Sequence, residues 1–556
     1  MDDKRSKNAK TSLWSPSFQG LLWTNWLTAI NDNIFRWFVI GVGKRQFDVS
    51  EHSSIVMLGT VFFVFPYLVV ASPAGWLADR FRKRHVIIGC KYAEIGIMTL
   101  GILAVMLNNF YILMFTVLLM GAQSALFAPA KVGTIPELLD ENTISAGNGI
   151  FNLATLSATV IGTAIGALLA DITVGGTSQL YIAAITMIGI ALVGTWLSYL
   201  IHTLPAANRA AKFPVSILGE TIRDIIELSK MGRLFRVALG IIFFWTVAGL
   251  AQINIDAFAD ESGALIESER TPLLLSLTLG VGLGSVLAGI VSAGHIELRL
   301  VPFGVLGIAV FSSLLMYCPE YFFLADSYGP ILIACTLLGG LGVSAGFFDV
   351  PLASYLQNKS PIERRGAILS ATNCLAFSGV AIVTLIFGGI LRVNTDSGGL
   401  DQLPDQYKIT DSIDSMGLPE GWFSSAKQTL ERFDEKEDQI GIEFPADLSP
   451  THKTQLISQL VWDDYARLQA EGEEQSGIAK YSKIFNNLDE QRQVKLVVRT
   501  AAPQPRFSAR QIFFLAGIFT LPVVAYAVWR FPHLKLSREN ETNQNSPTSD
   551  SQTQTD

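Results

Sequence analysis

The first long apolar stretch of the chain, from about Phe18 to Val42, carries three consecutive polar residues at its centre, Asn31-Asp32-Asn33. It is long enough to cross a bilayer as a helix, at roughly 20 residues per crossing. A carboxylate in the middle of such a helix costs several kcal/mol on insertion scales. Successive helical residues lie about 100° apart, so the three polar side chains cover roughly 200° of the circumference. Lipid cannot surround this helix on every side. It has to be enclosed by other helices, with its polar face towards an interior path.

The rest of the chain supplies those helices. Apolar residues make up 50% of the sequence, charged residues only 16%, and the mean hydropathy is +0.38. A soluble domain carries about 25% charged residues, so the composition points to a membrane protein. Hydropathy and breaker positions predict twelve spans, at about 18–42, 54–78, 86–107, 110–129, 146–170, 179–202, 235–258, 272–293, 301–318, 329–352, 366–391 and 508–531. The expected fold is therefore an all-α polytopic membrane protein with twelve transmembrane helices. Most Lys and Arg fall in the even-numbered connections and the termini, among them Arg80, Arg82, Lys83, Arg84, Lys359, Arg364 and Arg365. The excess of positive charge on the cytoplasmic side then puts both termini inside, with Lys44 and Arg45 as the local exception. Cys90, Cys318, Cys335 and Cys374 all fall in predicted spans and read as small buried apolar residues rather than as a disulfide framework. The polar N-terminus leads directly into a long span, which reads as no cleavable signal peptide.

The spans divide into two sets of six. After a cytoplasmic tail (1–17) come an N-terminal half (18–202), a linker (203–234) and five further spans (235–391). An extracytoplasmic insertion (392–507), the last span (508–531) and a disordered cytoplasmic tail (532–556) complete the chain. Phe127-Ala-Pro129, Ile135-Pro136-Glu137 and Ser145-Ala-Gly-Asn148 are echoed by Phe348-Asp-Val-Pro351, Ser360-Pro361-Ile-Glu363 and Ser370-Ala-Thr-Asn373. Parallel six-helix halves of this kind are a known transporter arrangement. In the linker, Phe213, Ile217, Leu218, Ile222, Ile225 and Ile226 recur at helical spacing, which predicts an amphipathic helix, read most simply as solvated. In the insertion, Asp and Glu outnumber Lys and Arg. Helical periodicity at Thr454–Leu468 and Tyr481–Val498 predicts a mostly helical cap or arm, a possible binding surface for an extracytoplasmic protein partner.

Gly75-Trp-Leu-Ala-Asp79-Arg80-Phe-Arg-Lys83-Arg84, between the second and third spans, resembles the G-x-L-a-D-R-x-G-R-R/K loop of the major facilitator superfamily. Arg82 stands where that loop usually has Gly. Gly75 permits close helix approach, and Asp79 can cap or pair across helix ends in a contact that must break when the conformation changes. Gly75, Asp79, Arg80 and Arg84 are thus candidate gating residues; the alternative is that Arg80–Arg84 only set topology. The matching loop of the second half, Ser292-Ala-Gly-His-Ile-Glu297-Leu-Arg299, is degenerate.

A narrower resemblance covers most of the chain outside the insertion. Leu13-Trp14-Ser15, Asn31-Asp32-Asn33, Phe127-Ala-Pro-Ala-Lys131-Val-Gly-Thr-Ile-Pro-Glu137, Ala146-Gly-Asn148-Gly, Gly162-Thr-Ala-Ile-Gly166 and Gly294-His-Ile-Glu-Leu-Arg-Leu-Val-Pro302 resemble the bacterial lysophospholipid transporter family. That family includes the transporter half of fused lysophospholipid acyltransferases. The resemblance implies a secondary transporter that moves lysophospholipids from the outer to the inner leaflet of the cytoplasmic membrane. It places the family's first-span Asp on Asp32 and its Lys after the fourth span on Lys131. A seventh-span Arg of the stand-alone transporters falls on Gln252, where the fused type often has Gln.

An amphiphile with a charged head needs a few polar groups beside an apolar path. Asn31, Asp32, Asn33, Glu94, Gln123, Gln252 and Asn254 are the candidates, with Arg36, one turn from Asp32, as its charge partner. Asp32 reads as a substrate or coupling group, or as half of a structural buried pair. Glu94 either joins the site or snorkels to the interface. Lys131, at the cytoplasmic mouth, either sets topology or meets an anionic head group. Asn148 and Asn373, at matching places in the halves, read first as hydrogen-bonding helix contacts. Asp256 and Asp349 lie near predicted span ends, where water reaches them. None of His52, His85, His202, His295, His452 and His533 is followed five positions on by Asp, as a fused-type acyltransferase requires, and no phosphate loop occurs. The expectation is a transporter rather than an enzyme, with no cofactor, metal or nucleic acid. The alternatives are an exporter of another small amphiphile or drug, or a non-transporting membrane scaffold with an extracytoplasmic binding arm.

Overall fold

The computed structural model describes residues 12–46, 52–107, 109–172, 180–264, 267–292, 295–319, 322–324, 327–387, 394–396, 504–505 and 507–530, with isolated positions between 418 and 456. The N-terminal half holds α1 (Pro16–Gln46), α2 (His52–Val69), α3 (Ala71–Arg80), α4 (Lys83–Met106), α5 (Phe110–Leu138), α6 (Ile144–Ile172) and α7 (Leu180–Ser198). The linker forms α8 (Ile217–Lys230). The C-terminal half holds α9 (Arg233–Glu261), α10 (Glu267–Val291), α11 (Leu300–Leu314), α12 (Gly329–Lys359), α13 (Arg365–Ile386) and α14 (Ala509–Arg530). Ten of these helices are individually long and apolar enough to span a membrane, and the α2–α3 pair makes an eleventh crossing with a 60° bend. Pro73 accounts for the bend: it has no N–H for the carbonyl of Val69, and its ring crowds that carbonyl. The 31-residue α1 falls short of the apolarity of the others, because Asn25, Asn31, Asp32, Asn33 and Arg36 interrupt it.

Two helices run further than their hydropathy predicts. α5 passes through Pro129 and Pro136 to Leu138 instead of stopping near 129, and α12 passes through Pro351 to Lys359 instead of stopping near 352. The added turns bury Thr134, Ser354 and Gln357 against other helices rather than lipid, so a hydropathy window reads them as loop. Asp349 therefore lies ten residues inside α12, buried, and not at a solvated span end.

Each half has its own apolar core. In the N-terminal half one cluster gathers Ile34, Phe38, Met98, Val117 and Met187, and a second, nearer the Arg80–Arg84 loop, gathers Phe18, Ile87, Phe127 and Ile135. The C-terminal core is continuous from Leu228 to Ala527; at one end Phe258 meets Phe322 and Phe513 with ring centroids 5.6 Å apart. The halves meet through α3 on α13 and α6 on α10, and small residues set the approach. A Cβ on Gly75 would come within 2.7 Å of Ala367 Cα, and one on Gly289 within 2.7 Å of Ala146 Cα. These crossings repeat one another, as parallel duplication requires.

α8 confirms the periodicity of the linker, but the helix is not simply solvated. Thr221 and Leu228 face inward, whereas Leu218, Ile222 and Ile226 form an exposed apolar stripe suited to a bilayer surface. A short antiparallel ladder, β1 (Asn394–Asp396) with β2 (Gln504–Pro505), brings the ends of the insertion together. The helices expected at Thr454–Leu468 and Tyr481–Val498 lie outside the described residues except Leu456, as do residues 1–11 and the C-terminal tail.

Candidate functional site

Three helices bring polar side chains together inside the N-terminal half. α4 contributes Lys91 and Glu94, one turn apart and both fully buried, which form an ion pair of 2.6 Å. α1 completes it: Asn31 Nδ2 donates to Glu94 Oε1 at 2.7 Å, and Lys91 Nζ donates to Thr28 Oγ1 at 3.1 Å. Next to this pair, Ser124 Oγ on α5 donates to Asp32 Oδ2 at 2.6 Å. The second oxygen of Asp32, Oδ1, is shut away from solvent with no hydrogen-bond partner, as is Asn31 Oδ1. Buried polar groups are rarely left this way, and those that are point to a ligand or ion site.

Above and below lie two further cations. Lys131 Nζ donates to Asn25 Oδ1 at 2.9 Å, and Asn25 Nδ2 donates to Thr155 Oγ1 of α6 at 2.9 Å. Arg36 Nη2 donates to Asn33 Oδ1 at 3.3 Å, and its guanidinium lies 5.5 Å from the Phe63 ring centroid and 5.7 Å from that of Trp37. The expected Asp32–Arg36 pair is thus replaced by Asp32–Ser124 and Arg36–Asn33. A carboxylate and a guanidinium on one helix meet only if both bend towards each other, and here α5 supplies a closer donor. Lys91, Lys131 and Arg36 against Asp32 and Glu94 leave a formal excess of one positive charge.

Of the other expected site residues, Gln123 is buried and donates to the Cys90 carbonyl at 3.1 Å, which ties α5 to α4. Glu94 does not snorkel, because Lys91 and Asn31 satisfy it inside. Lys131 is not at a helix mouth, since α5 continues past it. Asn254 sits away from the cluster: it is buried in the C-terminal half and donates to the Ala509 carbonyl at 2.8 Å. Gln252 is exposed on α9.

A second constellation joins the halves at the face carrying Arg80–Arg84. Asp79, at the end of α3, accepts the backbone N–H groups of Gly366 (2.7 Å) and Ala367 (3.1 Å) in the first turn of α13. These are donors that a helix start leaves unpaired, and a carboxylate there also suits the helix dipole. Ser370 Oγ donates to the Ala71 carbonyl nearby. Glu137 Oε1 receives Lys83 at 2.5 Å and Arg365 at 3.5 Å, linking α4, α5 and α13. Between α6 and α12, Asn148 Nδ2 donates to Ser354 Oγ (2.9 Å) and Gln357 Oε1 (3.1 Å), Gln357 Nε2 donates back to Asn148 Oδ1 (2.9 Å), and Asn152 donates to Asp349 (3.1 Å). Asn148 therefore ties half to half, a bond its counterpart Asn373, half-buried on α13, does not reproduce. Lys359 and Asn358 reach Glu141, and Arg364 reaches Asp224 and Glu227 of α8. The protein is closed at this basic face.

Arg84 does not bridge the halves: it donates to Thr203 Oγ1 (2.6 Å), at the start of the linker, and to the Tyr199 carbonyl (2.8 Å). Arg80 is half-exposed at the end of α3. Arg82 adopts φ −65° and ψ 122°, ordinary extended backbone, so glycine is not needed there. Sequence reasoning missed Lys91, Ser124, Lys83, Glu137 and Arg365 as members of these networks. For Lys91 the signal was present, a Lys and a Glu at i, i+3 inside an apolar span. For Lys83 and Arg365 it was masked, because loop-edge cations read as topology charges.

The comparisons with known proteins agree with this architecture. The model of the Major Facilitator Superfamily matches residues 21–384. A lysophospholipid transporter LplT of Citrobacter koseri is 26% identical over 381 residues, covering 67% of this chain and 86% of that protein. The one of Serratia proteamaculans is 25% identical over 354 residues, covering 62% and 81%. Among solved structures, the transporter FucP in the outward conformation superimposes with a TM-score of 0.52 at 14% identity, covering 67% of this chain and 91% of that one. A bacterial homologue of the iron transporter ferroportin in an outward-facing state gives 0.52 at 13%, covering 81% and 99%. Membrane-length helices in two repeated halves, a buried polar cluster in one half and a closed face between them are the architecture of a secondary transporter, and the chain belongs to the major facilitator superfamily.

Proposed function

We propose that this transporter moves lysophospholipids from the outer to the inner leaflet of a bacterial cytoplasmic membrane, with both termini and the basic face inside. The observation that carries the reading is the charge arrangement around α1. A formal excess of one positive charge lies beside a carboxylate with an unused oxygen, which suits a head group holding both phosphate and an ammonium. Relatives named as lysophospholipid transporters support the same substrate class. In this reading the phosphate is drawn to Lys131 or Arg36 and the ammonium to Asp32. Gly75, Asp79, Asn148 and Asn152 hold the cytoplasmic side shut while the head group enters from outside. Return to that state after release completes the alternating cycle.

The test is inward movement of a fluorescent lysophosphatidylethanolamine in vesicles holding the purified protein, wild type against Asp32→Asn. Movement by the wild type that falls about tenfold or more in the variant supports the reading, since that is the loss of one charge-assisted contact. Wild-type movement no faster than in empty vesicles overturns it.

A further inference from the structure

The C-terminal half contains a cavity that the central polar cluster does not use. It lies inside the helix bundle, bounded by α9, α10, α11, α12 and α14, and encloses about 580 Å³ with its open side included. Ala248, Ala251, Ala345 and Ala516 leave the space, and Phe244 and Phe513 close part of its wall. Along α9 it runs from Phe244 to Asn254, about 15 Å at the helical rise. That is the reach of an extended alkyl chain of roughly twelve carbons, with C–C bonds near 1.5 Å. Dry, apolar cavities take apolar guests rather than water.

The polar lining reduces to Ser312 and Asn254. Asn254 sits at the end nearest the start of α14, where its Nδ2 is held by the Ala509 carbonyl. Its Oδ1 is buried and has no hydrogen-bond partner. A long apolar slot with one unused acceptor at its end matches a single alkyl chain with a hydroxyl where chain meets head. A lipid with two chains has an ester in place of that hydroxyl and offers no donor at that point of the backbone.

We propose that this slot is a binding site for a single alkyl chain, supplied by a one-chain amphiphile. The assignment rests on the transport reading only for the source of the chain. The experiment uses the full-length protein in nanodiscs and two probes carrying the same diazirine near the end of an acyl chain, one a lysophosphatidylethanolamine and the other a two-chain phosphatidylethanolamine. Cross-links within 244–254 and 512–516 from the one-chain probe, displaced by excess unlabelled lysophosphatidylethanolamine, are expected. Cross-links confined to other segments overturn the proposal, as does equal or stronger labelling of the slot by the two-chain probe. As a second arm, Ala345→Leu shortens the slot. It is expected to lower movement of long-chain substrates about tenfold, the worth of roughly two buried methylenes, and to spare short-chain ones. An unchanged chain-length profile also overturns the proposal. If the wild type moves no lysophospholipid the transport reading fails, and the wild-type labelling still decides the slot.

Discussion

Asp79, on the last turn of α3, accepts the N–H of Gly366 at 2.7 Å, so a carboxylate of the N-terminal half caps a helix of the C-terminal half. A helix cap of this kind contributes about 1 kcal/mol, and charge at a partly buried helix start adds to it. Asp79→Ala removes both terms and leaves the first N–H groups of α13 unpaired. The expected outcome is a shift of the conformational balance towards opening at the basic face by roughly fivefold or more. Labelling rates of a cysteine placed at Ser354 read that balance, and an unchanged rate speaks against the cap as a latch.

The two glycine crossings make a sharper prediction. Gly75→Val puts a branched side chain where Ala367 Cα lies 2.7 Å from the first added atom, and neither backbone can yield. The basic face then cannot close, and transport is lost although the protein still inserts. Gly89 has nothing within 4 Å of an added Cβ, so Gly89→Ala serves as the neutral control, with full activity in the same vesicle assay.

The Lys91–Glu94 pair is fully buried, which fixes the expected mutational pattern. Glu94→Gln leaves the Lys91 ammonium buried without its counter-charge and costs about 3–5 kcal/mol. Removing both charges, as in Lys91→Met with Glu94→Met, is expected to cost less than either single change. Unfolding midpoints in a double-mutant cycle measure the coupling; strictly additive losses would show that the pair does not act as one unit.

Outside the spans, partial burial pushes the Glu297 carboxyl up, but hydrogen bonds from His295 (3.0 Å) and the Arg299 N–H (3.1 Å), with the charges of both residues, hold it below the ordinary glutamate range. A depressed carboxyl stabilises above its unfolded pKa and loses that contribution as pH falls through its folded value. Acidification is therefore expected to lower the protection factor of the Arg299 amide, the intrinsic exchange rate over the observed one at the same pH, and Glu297→Gln to remove most of that pH dependence. The group is half-buried and its partners are its own neighbours in sequence, so the effect stays local.

The membrane class, the two halves and the interior role of α1 were legible because each rests on periodicity or on the cost of a charge in lipid. Asp32, Asn31, Glu94 and Gln123 do come together, since polar residues in separate apolar spans have few other places to go. What could not be read was pairing. Asp32 meets Ser124, 92 positions away, rather than Arg36 on its own helix, because the choice depends on how α5 rotates against α1. Asn254 fell outside the cluster for the same reason: hydropathy places a residue at a depth, not on a face. The helix ends at Leu138 and Lys359 were hidden because polar residues buried between the halves look like loop.

The Lys91–Glu94 pair also bears on how the chain is made. Both partners lie on α4, three residues apart, so the pair forms as soon as that helix does. Over the apolar part of α4, residues 86–106, Lys91 and Glu94 are the only charged side chains and they sum to zero, so no other helix is needed to balance them. α1 is synthesised earlier than α4, and the hydrogen-bond donor to its Asp32 lies on α5, while Arg36 of α1 itself turns to Asn33. The polar centre of α1 is thus satisfied only once α4 and α5 have arrived to enclose it.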